Sequence, residues 1–176
     1  MINSENIIKF DDLLTKSKSG DNEAIKSLYI ELKKPIFILA LSILNDYYAA
    51  EDILQETFIK VMSNPHGYKS GSNAKAWIFT VTRNMCLNYI KKNKKEELKE
   101  EFFEKSEDVS FTENIESSIE FLRMLEPLEK DEKQIIALRL SARLSYKQIA
   151  EILNLSILNA RTKYSRGIKK LRKIIK

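Results

Sequence analysis

Arg161, Lys163, Arg166, Lys169, Lys170, Arg172, Lys173 and Lys176 lie in the stretch NARTKYSRGIKKLRKIIK, from Asn159 to Lys176, which holds no Asp or Glu. Cations concentrated in this way can bind a polyanion. Nucleic-acid phosphates attract such a segment whatever the base sequence, and arginine can also read guanine edges in a major groove. An anionic membrane surface attracts basic amphipathic helices too. A lysine-rich face that meets only water is the third option. Catalytic chemistry has far less to work with. The sole His is His66 and the sole Cys is Cys86. Two such residues do not make a zinc site. No glycine-rich phosphate loop, metal-ligand spacing or nucleophile–base set is present. Neither an enzyme nor a cofactor is expected.

The elements that position the cations are legible. In LSYKQIAEILNLSILNARTKYSRGIKKLRK, Ser145 and Gln148 form an S-x-x-Q capping box for a short helix, Tyr146–Leu153, with Ile149, Ala150 and Leu153 inward. Asn154–Ser156 is a tight turn in which Asn154 can take a left-handed conformation and Ser156 can cap the next helix. In that helix Ile157, Ala160, Tyr164, Ile168, Leu171 and Ile175 form one apolar stripe. Lys163, Arg166, Lys170 and Lys173 are expected on the opposite side, with Arg161 and Arg172 flanking. This is a helix-turn-helix. A helix held across a rigid turn suits a DNA groove better than a membrane surface.

The rest of the chain fits a helical, reducing-compartment protein. It has 176 residues, 43% hydrophobic and 31% charged, with four Gly and three Pro. One Cys allows no internal disulfide. The start MINSENIIKFDDLL lacks the order of a signal peptide, and the apolar run IFILALSIL (Ile36–Leu44) is too short to cross a bilayer. It reads as a buried helix segment, and the protein as cytosolic, with no membrane insertion. The net charge of +5 is unevenly spread. Residues 1–94 carry 13 basic and 10 acidic groups, residues 95–126 carry 4 and 11, and residues 127–176 carry 13 and 4.

Upstream, Gly20 is placed to end a first helix, and Asp21 or Asn22 to cap a second, with Ala24, Ile25, Leu28, Tyr29 and Leu32 at helical spacing. Pro35 should bend or restart that helix. A third helix is expected over Tyr47–Met62, with Ile53, Thr57, Phe58 and Val61 inward. NPHGYKSGSN (Asn64–Asn73) must be a loop. A fourth helix follows, with Trp77, Val81, Met85 and Tyr89 stacked four apart. The acidic stretch over residues 95–111, with its Phe102–Phe103 pair, reads as a linker. Past it come a helix before Pro127 and another after it, with Leu128 just ahead and Ile135, Leu138 and Leu140 inward. The fold class is all-α: two small helical domains, residues 1–94 and 113–176, joined by a flexible acidic linker, residues 95–112, the second domain being the helix-turn-helix.

On the third helix Asp52, Gln55, Glu56 and Lys60 form a polar face, either a solvated surface or a docking face for a partner that supplies cations. Here the order of segments resembles a known family. GDNEAIKSLY, AAEDILQETFIKV, the loop GYKSGSN with AKAWIFTVTRNMCLNYIKK, and the terminal helix-turn-helix together resemble the extracytoplasmic-function class of bacterial RNA polymerase sigma factors. The resemblance implies that Glu51, Asp52, Gln55 and Glu56 dock on the clamp helices of the polymerase's largest subunit, while the second domain meets the flap. It implies that the fourth helix and the loop before it open the minus-ten promoter element. Asn84 would capture a flipped base, Arg83, Asn88, Lys91 and Lys92 would follow the backbone, and Lys69, Ser70, Ser72 and Asn73 would line the base pocket. For minus-thirty-five DNA it implies groove contacts from Arg161, Thr162, Lys163 and Arg166, and phosphate contacts from Lys147, Lys169 and Lys170. Leu158–Asn159 stands where the family commonly has a small-residue pair. Trp77 is expected in the core, and Tyr68 is the better stacking candidate. The linker acids Glu96, Glu97, Glu100 and Glu101 would lie along a nucleic-acid route. Promoter DNA and core polymerase are thus the expected partners, with an anti-sigma protein as a possible third. The alternative is a stand-alone helix-turn-helix regulator that does not use the polymerase.

Overall fold

The computed structural model describes residues 4–63, 67–69, 71–96 and 116–174. Eight helices occur among them: α1 (Ser4–Lys18), α2 (Asn22–Leu44), α3 (Tyr47–Ser63), α4 (Ala74–Glu96), α5 (Glu116–Leu125), α6 (Lys130–Leu140), α7 (Tyr146–Leu153) and α8 (Ile157–Ile174). The described residues contain no strand.

Helix boundaries follow local chemistry. The chain leaves α1 through Gly20 at φ +90°, which glycine adopts without strain. Asp21 then caps α2, its carboxylate accepting from the Glu23 and Ala24 amides at 3.0 and 3.1 Å. Asn45 ends α2 in the left-handed region, and the Asp46 carboxylate accepts from the Ala49 amide at 3.0 Å to open α3.

Pro35 neither breaks nor restarts α2, which runs through it for 23 residues. Its lost hydrogen bond is offset by packing, because the segment after it is buried on every side. Ile36, Ile38, Leu39 and Ala40 are all 2% exposed or less. A helix that is apolar all round belongs in an interior, and α2 packs against α1, α3, α4, α5 and α6. The run IFILALSIL is therefore the central rod of the fold.

Around this rod one core joins Phe10, Leu14, Leu28, Leu32, Ile53, Val61 and Phe79 to Ile135, Leu138, Ile149 and Leu153 of the later helices. Buried Thr57 and Thr82 face each other across α3 and α4 at 3.4 Å, and Thr82 donates to the Ile78 carbonyl at 3.0 Å. The inner face of α4 differs from the expected stripe. Ile78, Phe79, Thr82, Met85 and Cys86 are buried, whereas Trp77, Val81 and Tyr89 are only partly so. Helices packing from two directions wrap around α4, so a single row four apart does not define its interior. Cys86 is fully buried, and loss of solvation pushes its thiol up to about 12.

The second half packs on the first. Ile38 of α2 is 2% exposed and sits in a cluster with Leu122, Leu125, Leu128, Ile136, Ala137 and Leu171. Lys34 of α2 donates to the Ser117 hydroxyl of α5 at 2.8 Å. α7 packs on α4, and beside that seam Lys75 lies 4.7 Å over the Phe10 ring. Burial lowers the Lys75 ammonium to about 8, with nearby Arg143 and Lys9 adding to the effect and Glu31 opposing it. Ile135 and Leu138 are buried as expected, and Leu128, just ahead of α6, is buried too. Leu140, expected inward, is 47% exposed because α6 ends there and the chain turns away.

α4 extends to Glu96, two residues into the expected linker, and residues 97–112 with their acids and Phe pair lie outside the described residues.

Candidate nucleic-acid and polymerase-binding faces

The helix-turn-helix is built as its sequence dictates. Ser145 accepts from the Gln148 amide at 3.1 Å, and the Gln148 side chain accepts from the Ser145 amide at 2.7 Å. Asn154 adopts φ 57° and ψ 51°, and Ser156 caps α8 by accepting from the Asn159 amide at 3.1 Å. α8 seats Ala160, Gly167 and Leu171 against α6 and α7, with Tyr164 and Ile168 partly buried. Gly167 carries no signal of this seam in the sequence. A Cβ there would meet Ile136 Cδ1 at 2.7 Å, so the backbone of α8 approaches α6 too closely for a side chain. Ile157, expected in the stripe, is 43% exposed, because it precedes the part of α8 that reaches α6; Ile175 lies outside the described residues.

The cations divide into two groups. Arg161, Thr162, Arg166 and Lys169 are exposed on the outer side of α8, with Lys147 exposed at the start of α7. Lys163 and Lys170 instead turn toward the N-terminus of α6. Lys163 pairs with Asp131 at 2.9 Å, and Lys170 reaches Glu132 at 2.8 Å and Glu129 at 3.3 Å. At 100° per residue these two lysines fall on the flank of the apolar stripe rather than opposite it. The Lys170 ammonium is raised, chiefly by its hydrogen bond to buried Glu132. The Arg161 guanidinium lies 5.7 Å from the Tyr146 ring, which also stacks edge-on with Tyr164. That contact holds Arg161 at the mouth of the turn. Thr162 donates to the Leu158 carbonyl at 2.9 Å, and Leu158 itself is 75% exposed.

The second face lies on α4 and the loop before it. Asn84, Asn88 and Lys91 are exposed at helical spacing on one side, with Lys92 beside them. Arg83 is partly buried, and its Nε is buried with no hydrogen-bond partner among the described residues. Lys69 and Ser72 are exposed, and Ser72 donates to the Lys69 carbonyl at 2.6 Å. Asn73 caps α4, accepting from the Ala76 amide at 3.0 Å, at a strained φ of 103°. Ser70 lies outside the described residues, as does His66.

One aromatic expectation is reversed. Tyr68 is 8% exposed, so its ring is not free to stack on a base. Its hydroxyl donates to Asp11, and the same carboxylate accepts from the Gly71 amide at 3.0 Å. Trp77, expected in the core, is partly buried and packs against it, 5.4 Å from Tyr68. Lys18 reaches over both rings. The loop folds Tyr68 inward because its phenol finds a carboxylate there.

On α3, Asp52, Gln55 and Glu56 are exposed in a row, and Glu51 is half-buried at its edge. Ile59, 67% exposed, continues this face toward a groove of about 520 Å³ between α3 and α4. Sequence spacing missed Ile59, which lies off the inner stripe of its helix and so gave no signal.

Among the described residues no group of His, Cys, Asp or Glu is arranged to hold a metal ion, and no helix is long and apolar enough to cross a membrane.

The chain matches two family models, Sigma-70 region 2 over residues 28–96 and Sigma-70 region 4 over residues 118–171. It is 28% identical over 153 residues to the ECF RNA polymerase sigma factor SigM of Bacillus subtilis (strain 168), covering 84% of this chain and 93% of that protein. It is 25% identical over 141 residues to the ECF RNA polymerase sigma factor EcfG of Rhodopseudomonas palustris (strain TIE-1), covering 75% and 74%. The fold is similar to that of the sigma factor RpoE solved with the anti-sigma factor NepR from Bartonella quintana. There the TM-score is 0.67 and the identity 24%, over 85% of this chain and 95% of that one. It is also similar to CnrH solved with the cytosolic domain of CnrY, with a TM-score of 0.68 and 17% identity over 95% and 97%.

Proposed function

Because this chain belongs to the sigma-70 family, in its extracytoplasmic-function class, we propose that its three exposed faces divide the work of starting transcription. The protein is an alternative sigma factor that directs RNA polymerase to promoters. The assignment of that work to particular residues is our own.

The α3 row Asp52, Gln55 and Glu56, with Glu51, docks on a cationic surface of core polymerase. Asn84, Asn88, Lys91 and the loop residues Lys69 and Ser72 hold the melted minus-ten strand, where amide and hydroxyl groups suit an extruded base and lysines its phosphates. Asn73 contributes by fixing the start of α4 rather than by offering its side chain. Arg161, Thr162 and Arg166 face the major groove of the minus-thirty-five element, with Lys147 and Lys169 on phosphates. Lys163 and Lys170 join them once their carboxylate partners yield. The protein works in the cytoplasm and catalyses no reaction itself. An anti-sigma protein is a fitting further partner, since the sigma factor RpoE, of similar fold, was solved with one.

The observation that carries this division is the coexistence, on one chain matched by both sigma regions, of an exposed acidic row on α3 and an exposed cationic row on α8. Transcription in vitro by core polymerase, with Asp52→Lys and Glu56→Lys variants, tests it. Loss of core binding and of promoter-specific initiation is expected. Unimpaired binding would remove the docking role and favour a stand-alone regulator.

A further inference from the structure

The outer side of α8 changes character along its length. At about 100° per residue, Leu158, Thr162, Arg166 and Lys169 fall within about 80° of one another, opposite the seam of Ala160, Gly167 and Leu171. All four are exposed. Leu158 is 75% exposed, and no large hydrophobic among the described residues is more so. Ile157 beside it, at 43%, widens the apolar start of the helix. The ridge opens on aliphatic surface and turns cationic about two turns later.

A lone exposed leucine on a protein surface needs no explanation. This one stands two residues past the Ser156 cap, in the first turn of the second helix of a helix-turn-helix. That turn meets base edges when such a helix enters a major groove. The cations farther along the same face fit the phosphates that border the groove. Lys169 lies about 16 Å down the axis from Leu158 at 1.5 Å per residue, roughly five base-pair steps of duplex. Base edges in the major groove are donors and acceptors, and the apolar group among them is the thymine 5-methyl. Against any other edge a leucine would strip water and replace no hydrogen bond. Thr162, one turn on, has committed its hydroxyl proton to the Leu158 carbonyl at 2.9 Å. It brings to this face a methyl group rather than a donor.

We infer that Leu158 determines specificity by packing on the 5-methyl group of a thymine in the minus-thirty-five element. The inference rests on the sigma reading for the identity of that element and goes beyond it in naming the base and the contact. Charge on Arg166 and Lys169 brings the helix to any duplex, and the leucine selects among them by excluding water from one methyl group. Thymine is thereby preferred over cytosine and uracil, which lack it.

Core polymerase with the wild-type protein is used to select duplexes randomised across the minus-thirty-five element. Each thymine of the selected element is then replaced by deoxyuridine, which removes only the methyl group, and holoenzyme binding is titrated at fixed salt. At one thymine the replacement should weaken wild-type binding about fourfold, the ratio that one buried methyl group corresponds to. Leu158→Ala should bind the thymine and deoxyuridine duplexes alike. Its folding is not at risk, because the side chain is exposed and alanine favours helix. A wild type indifferent to deoxyuridine at every position would overturn the proposal. So would a Leu158→Ala variant that keeps the wild-type preference; a uniform loss of affinity at unchanged preference would place the leucine against the polymerase instead. Should the polymerase not bind the protein at all, the sigma reading fails. The same comparison, made with the free protein on duplexes it selects, then decides the leucine contact.

Discussion

Tyr68 donates its phenol proton to Asp11, 57 residues earlier in the chain. The contact fastens the loop before α4 to α1, and the Gly71 amide on the same carboxylate adds a second tie. Tyr68 in turn accepts from the Asn73 amide at 3.2 Å, so the start of α4 inherits its position from α1. Burial, and then the Asp11 hydrogen bond, raise the Tyr68 hydroxyl to about 12.

Asp11→Ala should therefore weaken promoter opening while leaving polymerase binding intact. Removing the carboxylate strands the buried phenol, at about 1–3 kcal/mol. Permanganate reactivity of melted thymines, compared with a core-binding assay, separates the two effects. Equal loss in both would show that Asp11 supports the whole fold rather than the loop.

Gly167→Ala should destabilise the second half even though alanine favours helix by about 1 kcal/mol. The new methyl meets Ile136 Cδ1, which is fully buried and has little room to move. Overpacking of this kind costs about 1–3 kcal/mol. Ile136→Val removes the offending carbon, so the double variant should recover most of the loss in denaturant titrations. Simple additivity of the two changes would rule out the contact as the cause.

Lys75→Met should stabilise the protein at neutral pH by about 1–2 kcal/mol, raising Tm by about 3–6 °C. Its folded value of about 8 lies below the ordinary 10.5, so the unfolded chain binds more protons between those values. Stability of the wild type should rise with pH over about 8–10. Above that range Tyr68 acts in the opposite sense, because the unfolded phenol ionises first. The Met variant should lack the rise; an identical pH slope in both proteins would count against a buried Lys75.

Arg166→Ala and Lys169→Ala should each make promoter binding by the holoenzyme less salt-dependent. The log–log slope should shrink by about 0.9 for every phosphate no longer neutralised. Lys163→Ala should change the slope less, because its partner Asp131 already neutralises it. That partly exposed pair is worth at most about 1 kcal/mol to stability. Equal slopes for all three variants would mean the outer face of α8 does not meet the duplex.

Much of this is legible in local sequence. The Ser145–Gln148 box, the left-handed Asn154 and the Ser156 cap each depend on groups within a few residues, so spacing alone places α7 and the turn. Gly20, Asp21 and the Tyr47 start of α3 are legible for the same reason. What escapes depends on partners distant in sequence. Lys163 and Lys170 look like free cations until α6 brings Asp131 and Glu132 beside them. Tyr68 looks exposed because its loop is polar, and only α1 supplies the carboxylate that draws it in. Pro35 signals a bend or a restart, yet α2 runs through it, because packing from both halves outweighs the missing hydrogen bond. Gly167 gives no sign of its closeness to Ile136, which only the crossing of α6 and α8 creates.

The burial of Cys86 bears on how this chain can be signalled to. Oxidants attack the thiolate, and a sulfur held protonated behind the α4 packing offers them none at physiological pH. Peroxide or disulfide stress has no cysteine here on which to act while the fold is intact. A cell that ties this regulon to redox state through thiol chemistry must place the sensor on another molecule.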